Sequence, residues 1–295
     1  MCTAIRFSFF GSFFGRNLDI EKSPEESVVF VPRNFPLRFV KIPEMRRHFS
    51  IAGTAYVAGG YPLFYDGINE EGVFCAALDF PESAFYSDEK SGMKNLASFE
   101  VIPWILASCS NLEEVKKALE NTNVLNVDFS SSIKKAPLHW FFADKTGSIA
   151  AEPVKNGLKI YDDPFGVLSN EPPFEIMKEI AEKEKEIPGD FSPKSRFIKA
   201  AFEIKNAFSE NRADSLSAAF HILDSVSVTK GCAEGKEKEF RTKYTSCADG
   251  EKGVYYYKTY GNNRISAFDM KKENPESNLL ISCPMFSEQD IIGIN

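Results

Sequence analysis

Histidine is scarce in this 295-residue sequence: there are three, His48, His139 and His221, and only two tryptophans. None of the three lies near a cysteine at metal-ligand spacing. None of the six cysteines (Cys2, Cys75, Cys109, Cys232, Cys247 and Cys283) forms a C-x-x-C pair. No zinc or dithiol redox motif is therefore present, and no metal or cofactor is expected. A bilayer-spanning apolar run is also missing. The aromatic stretch at residues 9–14 is too short to cross a membrane, and no basic segment with a cleavage site precedes it. Positive charge is in deficit, with 35 Lys and Arg against 42 Asp and Glu. A net charge of −7 argues against general attraction to nucleic acid or to an anionic membrane. A cytoplasmic protein with free thiols is expected.

Aromatic residues are abundant, with 27 Phe and 10 Tyr. They fill a core, and some are available to line an apolar pocket. The length suits one large domain or two small ones, and no internal repeat or low-complexity segment divides the chain. Strand patterning occurs at residues 3–10, 27–31, 72–80, 138–143, 148–152, 158–161 and 166–169, and again at 242–247, 253–260 and 264–269. Residues 12–19 read as the approach to a polar turn or a strand end. Helical periodicity covers 96–108, 112–121 behind Asn111 as N-cap, 175–185, 194–207 and 215–226. Strands, then helices, then strands imply an α+β fold with largely antiparallel sheets, not a doubly wound parallel sheet. His139 and His221 sit in apolar runs and read as core positions. Cys75, Cys109, Cys247 and Cys283 read as buried thiols.

Cys2 follows the initiator methionine, and a small second residue permits removal of Met1. Cleavage leaves a thiol and a free α-amino group on one residue. An unperturbed α-amino group titrates at about 8, so it can act as general base for its own thiol without a histidine. The strand that begins at once ties this terminus into a sheet. Arg16 and Asp19 follow one hairpin later. Two readings of that pair stand: an ordinary surface ion pair beside a turn, or an arginine that favours the thiolate and a carboxylate that orients the amine.

Several segments, in order along the chain, resemble the choloylglycine hydrolase family, which contains bile salt hydrolases and penicillin V acylases. They are Met1-Cys2-Thr3-Ala4, Phe14-Gly15-Arg16-Asn17-Leu18-Asp19, Val31-Pro32-Arg33-Asn34-Phe35, Tyr61-Pro62-Leu63-Phe64-Tyr65-Asp66-Gly67 and Asn69-Glu70-Glu71-Gly72. The series continues with Leu138-His139-Trp140, Gly166-Val167-Leu168-Ser169-Asn170, Pro188-Gly189-Asp190, Ser195-Arg196-Phe197, Tyr244-Thr245-Ser246-Cys247 and Asn262-Asn263-Arg264-Ile265-Ser266-Ala267. The resemblance implies a single domain over residues 1–295. It also implies the four-layer αββα sandwich of N-terminal-nucleophile hydrolases, with two largely antiparallel sheets between helix layers. Cys2 would be nucleophile and, through its amine, base. Asp19 would hold the amine, Arg16 would flank the thiol, and Arg196 would be the second active-site arginine. The Asn170 side-chain amide would contribute to the oxyanion hole. Leu18, Tyr56, Val57, Phe129 and Ile133 would line an apolar substrate cleft.

Two departures from the family pattern stand out. At the oxyanion-hole position where bile salt hydrolases carry Asn and penicillin V acylases Tyr, this sequence has Asp79. An ionised carboxylate has no proton to donate. Three readings are open: a protonated Asp79, a backbone donor in its place, or an altered substrate. The stretch from Asn170 to Pro188 is also shorter than the family norm. In relatives it carries an extension that supports a tetramer, so a dimer or monomer competes with the tetramer here. The Leu78-Asp79-Phe80-Pro81 context favours a conjugated bile salt, a small amphipathic amide, as substrate. Penicillin V and N-acyl homoserine lactones are the rivals, and a non-catalytic binder of apolar ligands is the alternative of another class.

Overall fold

In the computed structural model, which describes residues 1–22, 25–184, 186–233 and 236–295, the first strand begins at Cys2. The chain runs β1 (Cys2–Phe9), β2 (Gly11–Ile20), β3 (Ser27–Val31), β4 (Ile51–Ala58), β5 (Tyr61–Asn69), β6 (Phe74–Asp79) and β7 (Lys94–Ala97). It continues through α1 (Val101–Ser108), α2 (Leu112–Glu120), β8 (Thr122–Leu125), β9 (Leu138–Asp144), β10 (Gly147–Val154), β11 (Gly157–Asp162) and β12 (Val167–Leu168). Next come α3 (Phe174–Lys183), α4 (Pro193–Asn206) and α5 (Arg212–Ser225), and last β13 (Arg241–Asp249), β14 (Val254–Thr259), β15 (Asn262–Asp269) and β16 (Ile281–Pro284).

Two antiparallel sheets stack between helices. One has the order β12-β1-β2-β13-β14-β15, the other β11-β10-β9-β6-β5-β4-β3-β16. α4 and α5 cover the first sheet, and α1 and α2 the second. Phe7, Phe14, Phe30, Phe74 and Phe141 belong to one apolar core that reaches from between the sheets to Phe197 and Phe220 of the helices. A second core, with Trp104, Trp140 and Phe142, lies between the second sheet and α1 and α2. These layers are the αββα order expected. Burying two sheet faces and one face of each helix layer satisfies every amphipathic element.

Some boundaries differ from those the sequence patterns predict. Residues 12–19 are not a turn: β2 runs unbroken to Ile20 and is buried along its length. Its polar side chains are satisfied by partners distant in sequence, which local patterning does not reveal. The predicted helix at 96–108 is β7, a 3-10 turn at Ser98–Glu100 and α1. α3 begins at Phe174, and its predicted end at Lys185 lies outside the described residues. His221 is exposed on α5, and Cys283 is exposed on the edge strand β16. The apolar run around His221 supplies a buried helix face through Phe220, Ile222 and Leu223, and His221 points away from it.

The turn after β11 seats β12 beside β1, where Ala4 pairs with Leu168 and Ile5 with Val167. Gly166 takes φ +67°, and a Cβ there would stand 2.8 Å from Arg6 O. Asp163 Oδ1 accepts from the Phe165 and Gly166 amides at 2.9 and 3.1 Å, and Ser148 Oγ donates to Oδ2. Burial outweighs these bonds and pushes the Asp163 carboxyl up to about 7. A raised carboxyl stabilises the fold fully at pH values below its unfolded value and loses that contribution as pH rises toward 7. Asp163→Asn keeps the acceptor and removes the titration. Urea unfolding should show wild-type stability falling by about 2–3 kcal/mol more than that of Asp163→Asn between pH 5 and pH 8. Parallel curves for the two proteins would exclude this account.

Candidate active site

The β1–β2 hairpin sets the site by register. Cys2 pairs with Leu18, Thr3 with Asn17 and Ala4 with Arg16. Alternation then puts Cys2, Arg16 and Leu18 on the face toward the second sheet, and Thr3, Asn17 and Asp19 on the face toward the helices. The two sides of one strand pair thus supply different parts of the site.

On the inner face, Arg16 Nη2 donates to Cys2 Sγ at 2.7 Å, with both side chains buried. Arg16 Nη1 donates to Tyr65 O at 3.0 Å. That carbonyl is available because β5 bulges: Thr54 pairs with Asp66 and Ala55 with Phe64, so Tyr65 is the extra residue. Behind Arg16 lies Asp66, fully buried, its Oδ2 4.0 Å from Arg16 Nη1. Tyr244 and Tyr255 hydroxyls donate to Asp66 at 2.5 Å each, and Ser246 Oγ at 3.0 Å. Burial alone would lower the Arg16 guanidinium, but the fields of Cys2, Tyr244, Asp66 and Asp19 outweigh it and hold it above its ordinary value. Arg16 is therefore a permanent cation, and its N–H stabilises negative charge on sulfur. Burial raises the Asp66 carboxyl, against the opposing pull of Arg16, both tyrosines and Ser246.

On the helix face, Asp19 Oδ1 accepts from Thr242 Oγ1 at 2.6 Å. A second bulge makes this contact. Tyr244 faces Leu18 and Thr242 faces Asp19, so Lys243 is the extra residue and Thr242 is re-aimed. Asp19 Oδ2 is buried and has no hydrogen-bond partner; Arg196 Nη1 stands 3.6 Å from it. Ser192 caps α4 through the Ser195 amide, and Pro193 opens the helix, which places Arg196 in its first turns. Arg196 Nη1 donates to Cys2 O and Thr3 Oγ1, both at 2.5 Å, and Nη2 donates to Asn170 Oδ1 at 2.8 Å. Burial pulls the Arg196 guanidinium below its ordinary value, opposed by Asp19 and Cys2.

Asn170, two residues beyond β12, accepts from Cys2 N at 2.6 Å through Oδ1. Its Nδ2 donates to Asp79 O at 2.7 Å. The side-chain amide expected to serve the oxyanion hole is therefore engaged with a backbone carbonyl, and Asn170 ties Cys2 to the end of β6. The Asp79 side chain is half-buried, and its carboxylate has no hydrogen-bond partner among the described residues.

The structure brings Cys2, Arg16, Asp19, Asn170 and Arg196 into one bonded cluster, with Asp79 joined to it through its carbonyl. Of the residues expected to line a cleft, Leu18 is buried in the core beside Cys2. Tyr56 and Val57 are half-buried near the tip of the β4–β5 hairpin, opposite Leu63 and Pro62. Phe129 lies 5.7 Å from Tyr61 and 5.2 Å from Phe99, ring centre to ring centre. Ile133 closes the same loop through Ser130. Sequence reasoning assigned no role to Thr242, Tyr65, Asp66, Tyr61 or Phe99. The only signal for Asp66 was an acidic residue in an otherwise β-forming run.

Comparison with known proteins agrees with this geometry. The model of linear amide C–N hydrolases, choloylglycine hydrolase family, matches residues 2–185 and 180–283. The bile salt hydrolase/transferase of Lactiplantibacillus plantarum is 39% identical over the whole of both chains. That of Clostridium perfringens is 38% identical over 90% of each. The C2A mutant of the conjugated bile acid hydrolase from Clostridium perfringens superposes over the whole of both chains with a TM-score of 0.91 at 34% identity. Penicillin V acylase from Agrobacterium tumefaciens shares the fold, with a TM-score of 0.81 at 18% identity over 97% of this chain and 92% of its own.

Proposed function

The chain belongs to the choloylglycine hydrolase family, and from that premise we propose that it is an N-terminal cysteine amidohydrolase cleaving the amide between a bile acid and glycine or taurine. The observation that carries this reading is the Cys2 thiol, held at 2.7 Å by a buried guanidinium, beside a buried Asp19 oxygen that lacks a partner. A peptide nitrogen at Cys2 has no proton-accepting lone pair to offer. Once Met1 is removed, a free amine there does, and Asp19 Oδ2 is the acceptor that orients it. The relatives' names support the bile salt as substrate, as do the aromatic rings of Tyr61, Phe99 and Phe129 above the hairpin, which suit an apolar acyl group.

In this reading the Cys2 amine takes the thiol proton and Sγ attacks the amide carbon. The tetrahedral intermediate collapses to a thioester, and the leaving nitrogen departs with the proton from the α-ammonium. Water, deprotonated by the same amine, then splits the thioester and restores the thiol. Arg16 stabilises the sulfur, while Arg196 and Asn170 hold the Cys2 backbone. The chain acts as one domain in the cytoplasm. No helix among the described residues is long and apolar enough to cross a membrane, and matches covering the full chain support the single domain.

The test is free-amine release from glycocholate, taurocholate and penicillin V, with Cys2→Ala as the blank. Cys2-dependent release from the bile conjugates is expected. Release from penicillin V alone would keep the mechanism and discard the substrate. Asp79→Asn is expected to raise kcat about tenfold, because a side-chain amide can donate to the oxyanion where a carboxylate cannot. An unchanged kcat would assign that task to a backbone N–H.

A further inference from the structure

Met1 occupies a defined place. Its backbone extends β1 by one residue: Asp19 N donates to Met1 O at 3.0 Å, and Met1 N donates to Asp19 O at 2.9 Å. Its side chain, on the helix side of the sheet, packs with Phe191 against a small apolar cluster of Val228, Ala233 and Phe240 that is separate from both main cores. Removing Met1 vacates this place and frees the Asp19 N–H and C=O. It leaves an apolar socket beside a strand edge, which is what an amino-acid residue needs for recognition.

The chemistry of the amide reaction fixes what can enter. The proton that leaves with the amine comes from the Cys2 α-amino group, so the leaving nitrogen must lie within hydrogen-bond reach of Cys2 N. Of the directions around that nitrogen, one points to Asn170 Oδ1 at 2.6 Å. Asp19 Oδ2, buried without a partner, claims a second. The third is the direction that carries the bond to Met1. The acyl group, attached to Sγ, lies on the opposite face, toward the second sheet.

We propose that the place of Met1 is the amine-side subsite, and that it takes amino-acid amines with an apolar side chain seated between Phe191, Val228 and Phe240. The proposal rests on the amidase reading above. A carboxylate oxygen of the conjugate would accept from Asp19 N–H, as Met1 O does.

The test compares kcat/KM for cholyl-glycine and cholyl-leucine, using enzyme shown by mass to lack Met1. The leucine conjugate should be favoured about tenfold, the discrimination that a small apolar pocket supplies. Phe191→Ala, at a half-buried position that tolerates truncation, and Val228→Phe, which fills the socket, should both erase the preference. Free leucine should inhibit the wild-type enzyme at about tenfold lower concentration than free glycine, a readout that needs no variant. If glycine conjugates are cleaved in a Cys2-dependent way, but leucine is not preferred and neither variant moves the ratio, the subsite is overturned and the amidase reading stands. If neither conjugate is cleaved, the amidase reading falls and the subsite with it.

Discussion

Cys2→Ser, purified without Met1, is expected to fold as the wild type does and to lose amide hydrolysis by at least about 1000-fold. The fold should survive because the Cys2 side chain is buried at a strand end, where serine is nearly isosteric and Arg16 Nη2 can donate to Oγ as it does to Sγ. The loss follows from the nucleophile. A hydroxyl ionises far less readily than a thiol, and the only base attached to residue 2 is its own amine, whose unperturbed value of about 8 suits a thiol and not an alcohol. Amine release and circular dichroism on the same sample decide the matter. Turnover within tenfold of wild type in the folded variant would remove Cys2 from the mechanism.

The second large effect is on Arg16. Arg16→Leu should lower turnover at least about 100-fold, since it removes the donor at 2.7 Å from sulfur. It should also destabilise the fold by about 3–5 kcal/mol, because Asp66 is left buried without its countercharge and the Tyr65 carbonyl loses its donor. The double variant Arg16→Leu with Asp66→Asn separates the two consequences. Asn accepts from Tyr244 and Tyr255 without a charge, so urea unfolding should recover most of the lost stability while turnover stays low. If activity returned along with stability, Arg16 would be a scaffold for the fold and not a partner of the thiol.

The chain's local chemistry made much of this molecule legible. Asn111 before α2 reads as an N-cap, and its side chain accepts from Glu114 N as such a residue does. The order of strand and helix patterns predicted antiparallel layers, and ordered motifs from Met1 onward predicted the αββα arrangement. The cluster of Cys2, Arg16, Asp19, Asn170 and Arg196 was named from those motifs, not from spacing, since Cys2 and Arg196 are 194 positions apart.

What stayed hidden has a common cause. Gly15-Arg16-Asn17-Leu18-Asp19 reads as a polar turn because nothing nearby in sequence satisfies those side chains. In the fold, Asn17 donates to Leu223 O on α5 and accepts from Thr245, and Asp19 accepts from Thr242, so a buried strand becomes affordable. The bulges at Tyr65 and Lys243 leave no mark in a period-two pattern. Yet they turn a carbonyl toward Arg16 and a hydroxyl toward Asp19. The residue sequence by itself determined which elements form, which residue carries the thiol and amine, and which family pattern it follows, because these depend on local periodicity and residue identity. Only the tertiary structure decided that Asp66 faces Arg16, that Asn170 holds Cys2 and the Asp79 carbonyl, and that Met1 fills a socket of its own. Those relations depend on register and on contacts across the chain, which local chemistry does not specify.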